Sequence, residues 1–181
     1  MVHAAHPELW QKAASFAARC HQGQLRKDRQ TPYIAHPFRV ALTVRHVFGV
    51  DDEVALTAAL LHDVIEDTTA DYDDLRQQFG SEVADTVAAL TKDMRLPEED
   101  RERAYDRQLS VASWQTRLVK LADVYDNLYD SASESARAKS AQRAARAIAC
   151  AGDEARLAAA VEIVNTLLRQ NAALPPTRPE A

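Results

Sequence analysis

Glycine is scarce: Gly23, Gly49, Gly80 and Gly152 are the only four in 181 residues, and no two are close together. A phosphate-cradling P-loop or a dinucleotide fingerprint needs clustered glycines so that backbone amides can approach an anion, and both are excluded. Each glycine instead follows a stretch of helical periodicity, where a left-handed C-cap belongs. Cysteine is sparse too. Cys20 and Cys150 are far apart, form no Cys-x-x-Cys pair and read as buried reduced thiols, which suits a cytoplasmic location. There is no run of about 18 apolar residues, and Met1 to Trp10 carries no basic segment followed by an apolar one, so neither membrane spanning nor export is expected. Positive charge is in deficit. Twenty-two Lys and Arg against 27 Asp and Glu leave a net charge of −5, so no nucleic-acid partner is expected. A small phosphorylated substrate in a locally basic pocket stays compatible.

What is present is an ordinary globular composition, 46% hydrophobic and 27% charged, sufficient for a single core. No stretch alternates as a strand would, and the pattern predicts an all-α bundle of about eight to ten helices. Pro7 opens a first helix ending before Gly23. Pro37 stands at a first helical position of a second, which runs to Gly49. A third spans Asp52 to Ile65, its first turn acidic. Helices follow at Tyr72–Phe79, Ser81–Leu90, Pro97–Leu109, Trp114–Tyr129, Glu134–Cys150 and Asp153–Gln170, with 22–33 the longest loop. The expected domain is 1–170. Residues 171–181, with Pro175, Pro176 and Pro179, form a flexible tail. The two Ala-rich helices after Glu134 could cover the core or a second subunit, making a homo-oligomer, and periodicity does not choose.

The chemistry concentrates in A-A-L-L-H-D-V-I-E-D-T, Ala58 to Thr68. Upstream of His62 the helix is apolar on nearly every face, the signature of a buried element. Yet it ends in His62, Asp63, Glu66 and Asp67, which i,i+4 spacing gathers on one face. Burying carboxylates costs several kcal/mol each unless compensated, and a divalent cation is one remedy. The alternative is a helix C-terminus whose Glu66 and Asp67 face water. A second buried helix, L-V-K-L-A-D-V-Y-D-N-L, is interrupted by Asp123, with Asn127 one turn on; Lys120 is the ordinary ion-pair partner for such an acid. In T-P-Y-I-A-H-P, His36 reads as an N-cap. Two His and two Asp suit Mn²⁺, Fe²⁺ or Zn²⁺ with positions left open.

The order H-P, then A-L-L-H-D-V-I-E-D-T, then K-L-A-D-x-x-x-N, with R-K-D-R-Q-T-P-Y-I-A-H-P and F-G-S-E-V-A-D-T-V-A-A-L-T-K between and before, resembles the HD-domain hydrolases. Within them it is similar to the Rel/Spo alarmone hydrolases and the small stand-alone alarmone hydrolases, over about Phe16 to Asp130. The resemblance implies a helical HD bundle in which His36, His62, Asp63 and Asp123 hold one divalent metal, usually Mn²⁺, with Zn²⁺, Fe²⁺ and Co²⁺ compatible. It implies that Glu66 and Asp67 handle the attacking water and its protons, that Arg26 and Lys27 flank the base and phosphates of a guanine nucleotide, and that Asn127 places the sugar or 3′-phosphate. The implied reaction removes pyrophosphate from the ribose 3′ position of ppGpp or pppGpp. The synthetase and regulatory domains of the Rel/Spo proteins need several hundred further residues, so the hydrolase half alone is expected of these 181.

Beyond Asp130 the similarity thins. The family's phosphate-clamping Arg falls on Arg143, but its Tyr position is Ala147. Lys139, Arg143 and Arg146 share a helix face that could clamp phosphate or be solvated. The family's Lys in a T-x-x-K stretch is Met94, with Lys92 and Arg95 adjacent, and Tyr129 stands where many relatives have Arg. NADPH, a nucleoside monophosphate, or binding of the alarmone without hydrolysis are the alternatives these departures leave open. Tyr33 reads equally as stacking near the site or as packing on its own helix.

Overall fold

The computed structural model describes residues 9–172, and within them the architecture is all-α. The helices are α1 (Leu9–Cys20), α2 (Ala35–Leu42), α3 (Glu53–Leu61), α4 (Val64–Asp67, a single turn), α5 (Tyr72–Phe79), α6 (Ser81–Ala88), α7 (Glu98–Val111), α8 (Trp114–Tyr129), α9 (Glu134–Ala151) and α10 (Ala158–Ala172). A π-helical turn, Thr43–Val47, prolongs α2, and a 3₁₀ turn, Ala155–Leu157, precedes α10. The only strand-like pairing among the described residues is one antiparallel bridge, Leu25 with Pro32, within the loop between α1 and α2.

Start signals in the sequence act as they should. Asp52 accepts the Ala55 amide at 2.8 Å and caps α3, and Ser113 accepts the Thr116 amide at 3.1 Å and caps α8. Asp71 and Asp74 close a capping box on α5. Gly80, at φ +87°, joins α5 directly to α6, a turn an L side chain would resist.

Helices α3 and α8 form the centre. Helix α3 packs on α1, α2, α6 and α8, while α8 packs on α2, α9 and α10. Ala55, Ala58, Ala59, Leu60 and Leu61 of α3, and Leu118, Val119, Leu121 and Ala122 of α8, are all buried. The α3 run is apolar on nearly every face because neighbouring helices pack around it, whereas α8 is buried along part of its circumference and keeps polar residues such as Arg117 and Lys120 on the rest. The Ala-rich α9 and α10 cover α8, which is the core alternative of the two read from their composition. Leu121 is fully buried, so Leu121→Ala is expected to lower stability by about 2–5 kcal/mol through lost burial and an unfilled cavity. Urea unfolding of wild type and variant measures it.

Four expectations need correction. The helix anticipated over Asp52 to Ile65 is broken: His62 and Asp63 lie in a turn between α3 and α4, with Asp63 at φ −99°, ψ −3°. That bridge-region conformation interrupts the helical rotation, so two consecutive side chains reach one point instead of diverging by about 100°. His36 is not an N-cap and Pro37 is not the first helical residue; Ile34 is the N-cap and α2 begins at Ala35. Proline is tolerated throughout a first turn, whose amides have no intrahelical acceptor. The last helix starts at Ala158 and runs through Ala172, taking Asn171 and Ala172 from the anticipated tail. Cys20 is half-buried rather than buried, and both cysteines are free. Pro7, Pro175, Pro176 and Pro179 lie outside the described residues.

Candidate metal centre

Three helical segments deliver the site. The first turn of α2 carries His36, the α3–α4 turn carries His62 and Asp63, and the middle of α8 carries Asp123. His36 Nε2 lies 3.3 Å from His62 Nε2 and 3.2 Å from Asp123 Oδ1. Asp63 Oδ2 is 3.1 Å from His62 Nε2 and 3.6 Å from His36 Nε2. His36, His62 and Asp123 each offer a ligand atom, all within 4.8 Å of one another, and all three residues are buried. Ligands about 2.1 Å from a common ion and at right angles to each other stand about 3 Å apart, and the shorter separations here, 3.1 to 3.3 Å, are close to that, with His62 to Asp123 wider at 3.9 Å.

The tautomers add a chemical argument. His62 Nδ1–H donates to the Ala59 carbonyl at 2.8 Å, and His36 Nδ1–H donates to Asp126 Oδ2 at 2.6 Å. With both Nδ1 atoms committed to acceptors, the neutral rings turn Nε2 lone pairs toward each other, and a cation between them is what makes the contact favourable. Burial pulls the His36 ring down, but hydrogen bonds and charge from Asp123, Asp126 and Asp63 outweigh it and raise the ring to about 9. His62 is raised in the same contest, with Asp63 the main opponent of burial. Two imidazolium groups cannot comfortably face each other at this separation. The same negative field that attracts protons attracts a divalent ion, and the donor set fits one.

The carboxylates are held ionised. Burial alone would raise Asp63 and Asp123, but His62 beside Asp63, and Lys120 with His36 beside Asp123, hold both well below the usual range. Lys120 Nζ sits 2.7 Å from Asp123 Oδ2, so the ion pair anticipated as the ordinary reading exists alongside the histidine contact on the other oxygen. Asn127 Nδ2 donates to Asp123 Oδ1 at 2.6 Å.

A cleft of about 270 Å³ opens over this cluster. Glu66 and Asp67 stand on its wall, so the water-facing alternative is only half true: both are exposed, yet toward the cleft. Glu66 accepts the Lys92 amide at 3.1 Å, and its carboxyl is raised, chiefly by burial. Arg26, Lys27 and Asn127 line the near side, with Arg26 donating to Asn127 Oδ1 at 3.2 Å and to Asp130 Oδ2 at 3.0 Å. Arg143 lines the far side beside Ala147. Arg146, offered with Arg143 as a phosphate clamp, is instead engaged by Glu102 at 2.6 Å and Asp106 at 2.8 Å, tying α9 to α7. Lys139 faces solvent, and Arg95 pairs with Asp93 outside the cleft, so of Lys92 and Arg95 only Lys92 lines it, where it is paired with Glu102.

Two participants, Asp126 and Arg39, escaped sequence reasoning, and a third, Tyr33, was read without its hydrogen bonds. The Tyr33 hydroxyl donates to the carboxylates of the site, Asp63 Oδ2 at 2.6 Å and Asp67 Oδ2 at 2.9 Å, while its ring packs edge-on against His36 of the adjoining α2. Buried Asp126 and half-exposed Arg39 form an ion pair behind His36. Asp126 follows Asp123 by three positions and so shares its helix face, a signal that was available.

Comparison with known proteins matches the HD domain to residues 13–149. The chain belongs to the HD-domain family. HD-domain hydrolases are metal-dependent, in keeping with the triad of His36, His62 and Asp123. This HD-domain chain is 46% identical over 120 residues to the human guanosine-3′,5′-bis(diphosphate) 3′-pyrophosphohydrolase MESH1, covering 66% of the chain and 67% of that protein. It is 37% identical over 126 residues to the Aquifex aeolicus guanosine-3′,5′-bis(diphosphate) 3′-pyrophosphohydrolase, covering 68% of the chain but 18% of that protein. A solved structure described as a metazoan ortholog of SpoT that hydrolyzes ppGpp and plays a role in starvation responses superposes with a TM-score of 0.82, at 29% identity, over 94% of this chain and all of that one. No helix among the described residues is long and apolar enough to cross a membrane.

Proposed function

We propose that this chain hydrolyses the 3′-pyrophosphate of ppGpp or pppGpp, giving GDP or GTP and pyrophosphate, with one Mn²⁺ held by His36, His62, Asp63 and Asp123. The observation that carries the reading is the meeting of two imidazole Nε2 atoms and two carboxylates at the floor of a cleft that Arg26, Lys27 and Arg143 also line. Bound there, the ion supplies Lewis-acid polarisation of a phosphate and acidifies nearby water. Glu66 and Asp67, one turn beyond the His62–Asp63 pair, orient a water against the phosphorus attached to the 3′ oxygen. The carboxyl raised by burial, Glu66, is the better proton acceptor near neutral pH. As the P–O bond to the ribose breaks, the 3′ oxygen leaves with its electron pair and is protonated, so no covalent enzyme intermediate is needed. Arg26 and Lys27 receive the base and phosphates, Asn127 the sugar, and Arg143 the distal phosphate. Tyr33 keeps Asp63 and Asp67 at a fixed separation.

Support comes from the site's chemistry together with the activity carried in the names of the relatives. The test is pyrophosphate release from purified protein, with ppGpp, NADPH and a nucleoside monophosphate compared. Turnover of ppGpp, abolished by a chelator and restored by Mn²⁺, is expected. Tight ppGpp binding without pyrophosphate, or faster turnover of NADPH, would replace the proposal.

A further inference from the structure

Of the two histidines in the cluster, one owes its orientation to the backbone and one to a side chain. His62 Nδ1–H is held by the Ala59 carbonyl, which no substitution removes. His36 Nδ1–H is held by Asp126 Oδ2 at 2.6 Å, and that carboxylate is 5% exposed. A buried carboxylate survives only with good compensation. Arg39 supplies it as a fork, with Nε donating to Oδ1 at 2.6 Å and a terminal nitrogen to Oδ2 at 2.9 Å. The same guanidinium reaches Asp130 Oδ2 at 3.0 Å, which also receives Arg26. Asp126 therefore faces donors on both oxygens and has none of its own.

We propose that Asp126, clamped by Arg39, is a positioning residue that locks His36 in the tautomer able to ligate the metal. The inference rests on the reading of the cluster as a metal site. Its logic is one of donors and acceptors. An ionised Asp126 can only accept, so His36 must carry its proton on Nδ1 and keep Nε2 free for the cleft. An amide at the same place offers a single acceptor to two sets of donors. Either Arg39 Nε loses its partner, or His36 Nδ1 meets an N–H and the ring shifts its proton to Nε2, which removes the ligating lone pair. Asp126 is thus held for what it does to the ring, and Arg39 for what it does to Asp126.

The test uses the full chain, freed of metal, as wild type, Asp126→Asn, Asp126→Ala and Arg39→Gln. Mn²⁺ affinity is measured by competition with a chromophoric chelator, and the His36 tautomer is read from its ring-nitrogen NMR signals at a pH above the raised value of the ring, where it is neutral. Loss of an orienting partner of this kind weakens metal binding by about 10–100-fold, and that loss is expected for both Asp126 variants, with Arg39→Gln near roughly 10-fold. The His36 signals should leave the Nδ1–H form in the Asp126 variants, and turnover at saturating Mn²⁺ should recover toward wild type, since the defect lies in loading. A merely structural ion pair would lower thermal stability and leave tautomer and affinity alone; folded Asp126 variants with wild-type Mn²⁺ affinity and an unchanged ring overturn the proposal. If the Asp126 variants do not fold, Arg39→Gln decides by affinity alone: a wild-type Mn²⁺ affinity in that variant overturns the proposal. Wild-type protein that takes up no Mn²⁺ instead defeats the metal reading itself, a result distinct from variants that match a metal-loaded wild type.

Discussion

Replacing His62 by alanine is expected to abolish metal uptake and ppGpp hydrolysis together. His62 is 4% exposed, is anchored through Nδ1 to the Ala59 carbonyl, and has its other ring nitrogen within 3.3 Å of His36 and 3.1 Å of Asp63. Its removal deletes a ligand and takes away the ring nitrogen that faces Asp63 and Asp123. The lost Lewis acid stabilises transition-state charge by several kcal/mol, on the order of a thousandfold or more in rate. Asp123→Ala should behave alike and also leave Lys120 buried without its carboxylate. Metal content by elemental analysis and pyrophosphate release, measured on the same preparations, check the pair. Either variant retaining stoichiometric metal and wild-type turnover would remove the centre from the proposed reaction.

Glu66→Gln is expected to separate what His62→Ala loses jointly. Glu66 has no contact with the imidazole cluster; its carboxylate accepts the Lys92 amide and faces the cleft. Metal content should stay at the wild-type level, while kcat falls by about 10²–10⁴-fold, the usual contribution of a positioned general base. The pH profile gives a second readout. Burial raises the Glu66 carboxyl, so wild-type activity, which needs it ionised, should fall as pH drops through a value above the ordinary glutamate range, and the glutamine variant should lack that limb. Stability runs the other way. A group whose folded pKa is raised binds protons more tightly in the folded state, so its stabilising influence is present below the unfolded value and lost as pH rises through the folded one. At neutral pH the glutamine variant should therefore unfold no more readily than wild type. Wild-type turnover in Glu66→Gln would reassign the base to Asp67.

The patterns that made this site legible were violations. Helices α3 and α8 read as fully buried, so His62, Asp63 and Asp123 stood out as charges needing a remedy, and the structure brings them together with His36. Helix α8 was legible to both boundaries, because Ser113 caps it and its apolar run is long. Arg146 shows the opposite case. Its spacing from Arg143 permitted a shared clamp, yet the carboxylates that claim it, Glu102 and Asp106, come from α7 and are invisible to a reading of α9 alone.

Local rules sufficed wherever the cause was local: helical content, the caps, the scarcity of glycine that excludes phosphate loops, and the identity of residues too polar for their surroundings. Packing had to supply whatever depends on a partner distant in the chain. The break at His62–Asp63 lets two neighbouring side chains reach His36, and Asp126 meets His36 and Arg39 only because α2 packs against α8. Periodicity reports which face of a helix is buried. It carries no record of what waits on the other side.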